Sequence, residues 1–368
     1  MTKEEESMSI FYKMQHLKNT NVVLALVLTI NIMVLYFAIP RITCLKTVPC
    51  QNKIPHSKHI SFYRMDKTEP CQCIQTFDSE ITETIINLTT CSRNSAMTGK
   101  FHRKVISFSY YKKGVPDRYH RNFFKGIEKN LFAIKKNYGQ GWSMRLYFEL
   151  QRISTTERKK LCQMACMYPE EFNLCDIDNI PRFGNLSHIF PMNWRFLTML
   201  DPQVDIALSR DLDSTAIQRE MDAVNEFLNS SKLVHVMRDH PYHNVPILGG
   251  MWGIKLTPDM RFNMEQAFTD MFGSDIFYKN RDLRGPDQDL LGKYIWPWAK
   301  YFVMGHDSYF CKSYANSRPF PTKRKNESCN FVGCIGELSE NETKIVFEKK
   351  NECPLNCRPN FHPEWTYC

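Results

Sequence analysis

Asp211 and Asp213 flank a single leucine in the run Ala207-Leu208-Ser209-Arg210-Asp211-Leu212-Asp213-Ser214. Two carboxylates at that spacing supply hard oxygens of the kind that hold a divalent cation and the diphosphate it carries. They follow an apolar run, Val204 to Leu208, that reads as a strand, and they precede a segment with helical spacing. The end of a strand in an α/β sheet is where such ligands dock. Solvated loop carboxylates produce the same pattern, so its weight comes from its surroundings.

Other chemistry-bearing residues follow in order. Met237-Arg238-Asp239-His240-Pro241-Tyr242-His243 is dense in titratable groups. Pro246-Ile247-Leu248-Gly249-Gly250-Met251-Trp252-Gly253 places a glycine pair where backbone and a bound sugar could approach closely, with a plain tight turn as the competing reading. Gly285-Pro286-Asp287-Gln288-Asp289 and Met304-Gly305-His306-Asp307 complete the set. Trp252, Trp296 and Trp298 are either a stacking platform or ordinary packing. Arg210 is equally a phosphate contact or a salt-bridge partner for neighbouring acids.

The elements that must position these residues alternate. Val105 to Tyr111 reads as a strand, and Phe123, Ile127, Leu131 and Ile134 recur at helical spacing. Gly139-Gln140-Gly141 breaks that helix, and Ser143 to Phe148 is strand-like again. Strand, helix, strand with short breaks predicts βαβ units and a mostly parallel sheet. After the two aspartates, Ile217, Met221, Val224 and Leu228 mark an amphipathic helix, for which Thr215 and Gln218 form an expected capping box. Its positive N-terminal end would suit a diphosphate. Leu233 to Met237 is the next strand.

The chain has 368 residues and a net charge of +9. Val22 to Ile39 carries no charge and is long enough to span a bilayer. It is longer than a signal-peptide core and no convincing small-residue cleavage site follows it, so an uncleaved signal anchor is expected. Lysine and arginine are balanced across it, which leaves orientation to the cysteines. All 14 lie beyond the apolar segment, as do the glycosylation triplets at Asn87, Asn185, Asn229, Asn326 and Asn341. Both features place the bulk of the chain in an oxidising lumen, as a type II membrane protein. Zinc ligation by Cys162, Cys166 and Cys175 is the weaker reading beside disulfides. The basic balance belongs entirely to the lumenal part, where a nucleotide sugar or an acidic glycan is a better partner than nucleic acid. The expected organisation is a tail (1–21), an anchor (22–40), a Cys-rich stem (41–100), a main domain (101–325) and a Cys-rich extension (326–368).

The series Asp-x-Asp, Gly-Gly, Asp-Gln-Asp, Gly-His over roughly residues 101–325 resembles glycosyltransferases of the GT-A fold, in an order similar to glycogenin-like retaining enzymes. It departs from them after His306, where the usual Gly-x-Lys-Pro is absent. The resemblance implies an α/β, Rossmann-like lumenal domain on one N-terminal helix. It implies a metal-dependent hexosyltransferase of the Golgi membrane, moving a sugar from a nucleotide-diphosphate donor to a glycan, glycoprotein or glycolipid. Asp211, Asp213 and His306 would then hold Mn²⁺ or Mg²⁺, which would act as Lewis acid toward the leaving diphosphate. Ser107 to Tyr110 would receive the nucleotide base, and Arg210, Gly249 and Gly250 would line the donor. Asp239, His240 and Asp287 are the candidate bases of an inverting reaction, whereas Gln288 or Asp289 would face the sugar in a retaining one. The alternative is a lumenal glycan-binding protein that keeps the fold without turnover.

Overall fold

The computed structural model describes Cys71, Cys73 and residues 81–98, 101–112, 122–278, 285–314, 316–325, 330–335 and 352–368. The tail, the anchor and the triplets at Asn326 and Asn341 lie outside the described residues. Among the described residues no helix is long and apolar enough to cross a membrane.

Eight strands form one sheet: β1 (Arg103–Tyr110), β2 (Trp142–Phe148), β3 (Phe172–Asp176), β4 (Val204–Arg210), β5 (Val234–Arg238), β6 (Met251–Lys255), β7 (Val303–Asp307) and β8 (Ser317–Arg318). Their order is β3-β2-β1-β4-β6-β5-β7-β8. Only β6 runs antiparallel to its neighbours β4 and β5. The chain winds from β1 outward to β3 and then returns to place β4 on the other side of β1. That reversal opens a crevice at the carboxyl ends of β1 and β4, the usual ligand position in open α/β sheets.

The helices are α1 (Glu83–Leu88), α2 (Arg93–Thr98), α3 (Phe123–Asn137), α4 (Thr155–Met167), α5 (Gln218–Leu228), α6 (Pro258–Phe272) and α7 (Pro286–Leu290). Alternation along β1 builds two cores. Val105 faces a layer containing Trp194, Phe196 and Trp252. Ile106 and Phe108 face another containing Ile127, Leu131 and Ile134 of α3. Gly139 and Gly141 end α3 with φ of 72° and 87°, a conformation that glycine adopts without steric cost. Helix α5 buries Met221 and Val224 as its spacing predicts, with Phe227 buried in place of Leu228, which is half-buried. Its expected capping box is absent, because the helix starts after Ile217 with no side-chain cap. Its first turn carries Glu220 instead, paired with Arg210 at 2.7 Å.

The Cys-rich stem is held against the main domain from Cys71 onward. Bridges Cys71–Cys162, Cys73–Cys166 and Cys91–Cys175 tie it down. Cys162, Cys166 and Cys175 are therefore disulfide partners rather than zinc ligands. Thr89 and Thr90 donate to the buried carboxylate of Asp201 at 2.7 and 3.0 Å, and Arg145 completes that site at 2.9 Å. Bridge Cys311–Cys357 ties the extension to the segment after β7, and Cys353–Cys368 closes the extension on itself.

Candidate active site

Asp211 sits one residue beyond β4, at the mouth of the crevice between β1 and β4, with 38% of its side chain exposed. Asp213 follows in the same turn, partly exposed. Two strand-distant acids are drawn together here by a residue whose role the sequence motifs do not announce. The buried Arg195 bonds Asp211 through one terminal nitrogen and Asp287 through the other, the latter at 2.9 Å. Its only sequence signal is a lone cation inside the apolar run Trp194 to Met199.

The glycine pair has a concrete purpose in this arrangement. A Cβ on Gly250 would lie 2.0 Å from Asp211 Oδ2, and one on Gly249 would lie 2.1 Å from Asp287 Oδ2. The close approach is therefore made by the two carboxylates themselves. Ser209 fixes the turn by donating to the Gly249 carbonyl at 2.6 Å.

Asp287 lies in the first turn of α7 and is 1% exposed. Among the described residues its Oδ1 is buried without a hydrogen-bond partner. Burial pushes its carboxyl above the usual aspartate range, against the pull of Arg195. Gln288 is partly exposed and Asp289 exposed, and both backbone N–H groups close the turn onto the Gly285 carbonyl.

Several expected site residues serve the scaffold. Asp239 is fully buried and accepts from Arg219 at 2.9 and 3.0 Å, Arg324 at 2.8 Å and the Val332 backbone at 2.8 Å, with Ser308 as a further donor. Burial raises its carboxyl, but the two guanidinium groups outweigh that and hold it well below the usual range. With both oxygens saturated it has no capacity to take a substrate proton. Arg210 is likewise buried, with Nε on Glu220 and Nη1 on the Ser209 and Trp252 carbonyls, so it serves as the salt-bridge partner of Glu220, while its Nη2 has no partner among the described residues. Ser107 is buried and donates to the Arg195 carbonyl at 2.7 Å, joining β1 to the segment that carries the arginine. The Tyr110 hydroxyl donates to Glu157 at 2.6 Å and is raised by burial and by that carboxylate. Neither presents a free polar group to a nucleotide base. Trp252 is fully buried against Phe196 and offers no face to a sugar.

His306 is the main correction. It lies on β7, separated from β4 by β5 and β6, three inter-strand steps or about 14 Å. Its Nε2 bonds Glu226 at 3.0 Å and its Nδ1 bonds His235 at 2.8 Å, so neither nitrogen is open to an ion. Among the described residues no three His, Cys, Asp or Glu side chains form a group that could hold a metal.

His243 lies closer to the acids. A Cβ on Gly333 would touch both Met251 and His243, and Met251 pairs in register with Arg210. Burial and the neighbouring His240 hold His243 down to about 3. Its Nδ1 accepts from the Asp239 backbone N–H at 3.2 Å.

No family model matches the chain, and no curated protein does. Solved structures align with it weakly. Three of them are 4-diphosphocytidyl-2C-methyl-D-erythritol synthase from Anaerococcus prevotii (TM-score 0.34, 9% identity, 66% of this chain and 94% of that one), galactosyltransferase LgtC with donor and acceptor sugar analogs (0.35, 13%, 55% and 73%), and mouse xyloside xylosyltransferase 1 (0.31, 11%, 57% and 86%). Likeness at this level leaves the chemistry to the chain's own residues.

Proposed function

We propose that the chain is a metal-dependent glycosyltransferase that takes a sugar from a nucleotide-diphosphate donor, with Asp211 at the diphosphate and Asp287 beside the reacting sugar. One observation carries this reading. A solvent-reaching aspartate stands at the sheet's reversal point, joined through one buried arginine to a second, buried aspartate with an unsatisfied oxygen.

The donor set suits a hard divalent cation, Mn²⁺ or Mg²⁺, that draws its remaining ligands from phosphate oxygens and water rather than from a full protein cage. Asp211 and Asp213 would hold it, and when bound it would supply Lewis-acid stabilisation of the departing diphosphate. The chain's own residues do the rest. Arg195 fixes the Asp211 carboxylate and keeps a cation next to Asp287. Asp287 Oδ1, buried and unpaired, accepts the proton of the attacking hydroxyl. Gly249 and Gly250 keep both carboxylates against the backbone.

Five disulfides among the described residues, and exposed sequons at Asn87, Asn185 and Asn229, support a lumenal, Golgi-type setting. The second reading, a glycan-binding protein without turnover, draws its support from the removal of His306 from the metal ligands.

The test is release of free sugar from a panel of UDP- and GDP-sugars by the full-length protein in detergent. Hydrolysis that needs Mn²⁺ and disappears in Asp213→Ala is expected. No turnover of any donor would favour the binding protein, and equal rates in excess chelator would remove the metal from the mechanism.

A further inference from the structure

We propose that the loop after β5 forms the acceptor subsite, a shelf that takes a neutral pyranose ring against Tyr242 and hydrogen-bonds it through His240 and His243. The assignment rests on the functional reading above and adds the ligand class and the residues that select it.

The shelf is built from two chain segments. Tyr242 is 75% exposed, so its ring face is open to solvent. The His240 ring lies 5.1 Å from Tyr242, 5.6 Å from His243 and 4.7 Å from Phe331, which arrives with the segment 330–335. An exposed aromatic face backed by other rings suits the apolar C–H face of a sugar, and polar groups beside it fix orientation.

Those polar groups have a defined protonation. His240 Nδ1 accepts the Tyr242 backbone N–H at 3.2 Å, and His243 Nδ1 accepts that of Asp239 at 3.2 Å. A nitrogen that accepts carries no proton, so each neutral ring holds its hydrogen on Nε2. Among the described residues neither Nε2 has a protein partner. Two N–H donors of fixed tautomer therefore lie in the ring cluster behind Tyr242, His240 next to the tyrosine and His243 beyond it. The same tautomer disfavours His243 as a metal ligand through Nε2, whose lone pair is occupied by the proton.

The neutrality of the ligand follows from the charges nearby. Arg219 and Arg324, the guanidinium groups behind the loop, are both committed to Asp239. A carboxylated or sulfated sugar would find no uncommitted cation among these residues and would face Asp211. A neutral ring loses nothing there. The Asp239 network also holds the loop rigid from behind, through Val332 and Ser308, so little ordering cost remains on binding.

Position agrees with the role. His243 and Met251 meet at Gly333, and Met251 registers with the residue before Asp211, which puts the shelf beside the donor end.

The experiment pairs saturation-transfer NMR on the full-length protein with kinetics. The probes are methyl glycosides of galactose, glucose, mannose, xylose and N-acetylglucosamine, with glucuronic acid as the charged comparison. At least one neutral glycoside should show transfer from the aromatic protons, and Tyr242→Ala should abolish it. Donor hydrolysis without acceptor should stay within about twofold in Tyr242→Ala, while acceptor KM rises about tenfold or more. Tyr242→Trp should restore binding. The shelf is overturned if no neutral glycoside binds, if binding survives Tyr242→Ala, or if glucuronate binds best. Absence of donor hydrolysis instead strikes at the transferase reading, because the NMR arm judges the shelf without any turnover.

Discussion

Arg195 donates to Asp287 at 2.9 Å with its other terminal nitrogen on Asp211, so one buried guanidinium sets the relative position of two acids from distant parts of the chain. Lysine keeps the charge but presents its donors from a single nitrogen, so it cannot reproduce the planar two-nitrogen fork that spaces the two acids. Arg195→Lys should lower donor hydrolysis about 100-fold, since misplacement of catalytic groups by about an ångström has costs of that order. Steady-state kinetics across a Mn²⁺ titration checks it. An unchanged rate would show that the bridge holds the fold only.

Asp287→Asn keeps the shape and the contact with Arg195 but removes the basic oxygen. We expect kcat to fall by about 10²–10⁴-fold, the usual contribution of a positioned base, with donor KM little changed. A large rise in KM with kcat preserved would move Asp287 from proton transfer to donor binding. Asp239→Asn offers the contrast. It should lower stability through the Arg219 and Arg324 pairs, and any loss of activity should track the folded fraction.

Gly250→Ala would bring a methyl group to 2.0 Å from Asp211 Oδ2. Either the Asp211 carboxylate leaves its contact with Arg195 or the turn carrying Gly250 shifts, and both disturb the site. Donor affinity should weaken about 10–100-fold, as is usual when the support of a ligand group is disturbed. Isothermal titration with the nucleoside diphosphate and Mn²⁺ reads this directly. Equal affinity would place the diphosphate elsewhere.

Strands β1, β2, β4 and β5 and helix α3 were legible because they carry clean periodicities, as in Ile127, Leu131 and Ile134, whereas β3, β6, β7 and β8 are too short or too irregular in pattern to be read as strands. The Asp-x-Asp turn and the glycine pair were also found, since both depend on local chain geometry. What escaped was anything decided by pairing across the fold. His306 and Arg210 have the right chemistry for ligands, but Glu226 and His235 take both nitrogens of the histidine, and Glu220 pairs with the arginine through its Nε. Asp239 reads as a base until two arginines, one of them 85 residues downstream, are seen to saturate it. Arg195 was invisible for the converse reason, since nothing local marks an arginine in an apolar run as the partner of acids 16 and 92 residues away.

Asp201 should be a stability residue without influence on chemistry. It is fully buried and joins Arg145 of β2 to Thr89 and Thr90 of the segment before β1. Asp201→Ala strands the Arg145 charge in the interior, a loss of about 3–5 kcal/mol. Chemical denaturation of the wild type and variant measures it. A change below about 1 kcal/mol would mean that the Cys91–Cys175 bridge alone docks the segment.

Stability should also fall as pH drops below about 6.5, the ordinary histidine value. His235 is fully buried, stacked on Phe227 and bonded to His306. Burial, the neighbouring His306 and Arg210 hold its pKa well below that of an unfolded histidine. His306 is lowered by burial too, although Glu226 opposes the effect. The unfolded chain therefore binds protons that the folded chain refuses. The contribution of each neutral ring is complete above the unfolded pKa and declines as pH falls toward the folded one. The slope is about 1.4 kcal/mol per pH unit for each group that stays neutral. Denaturation midpoints between pH 5 and 8 should rise with pH over the lower part of this range. In His235→Gln the slope should be shallower by up to one such increment, although His306, His240 and His243 remain to contribute. An identical slope in the variant would show that His235 accepts its proton inside the fold, and that the His235–His306 contact does not need the neutral pair.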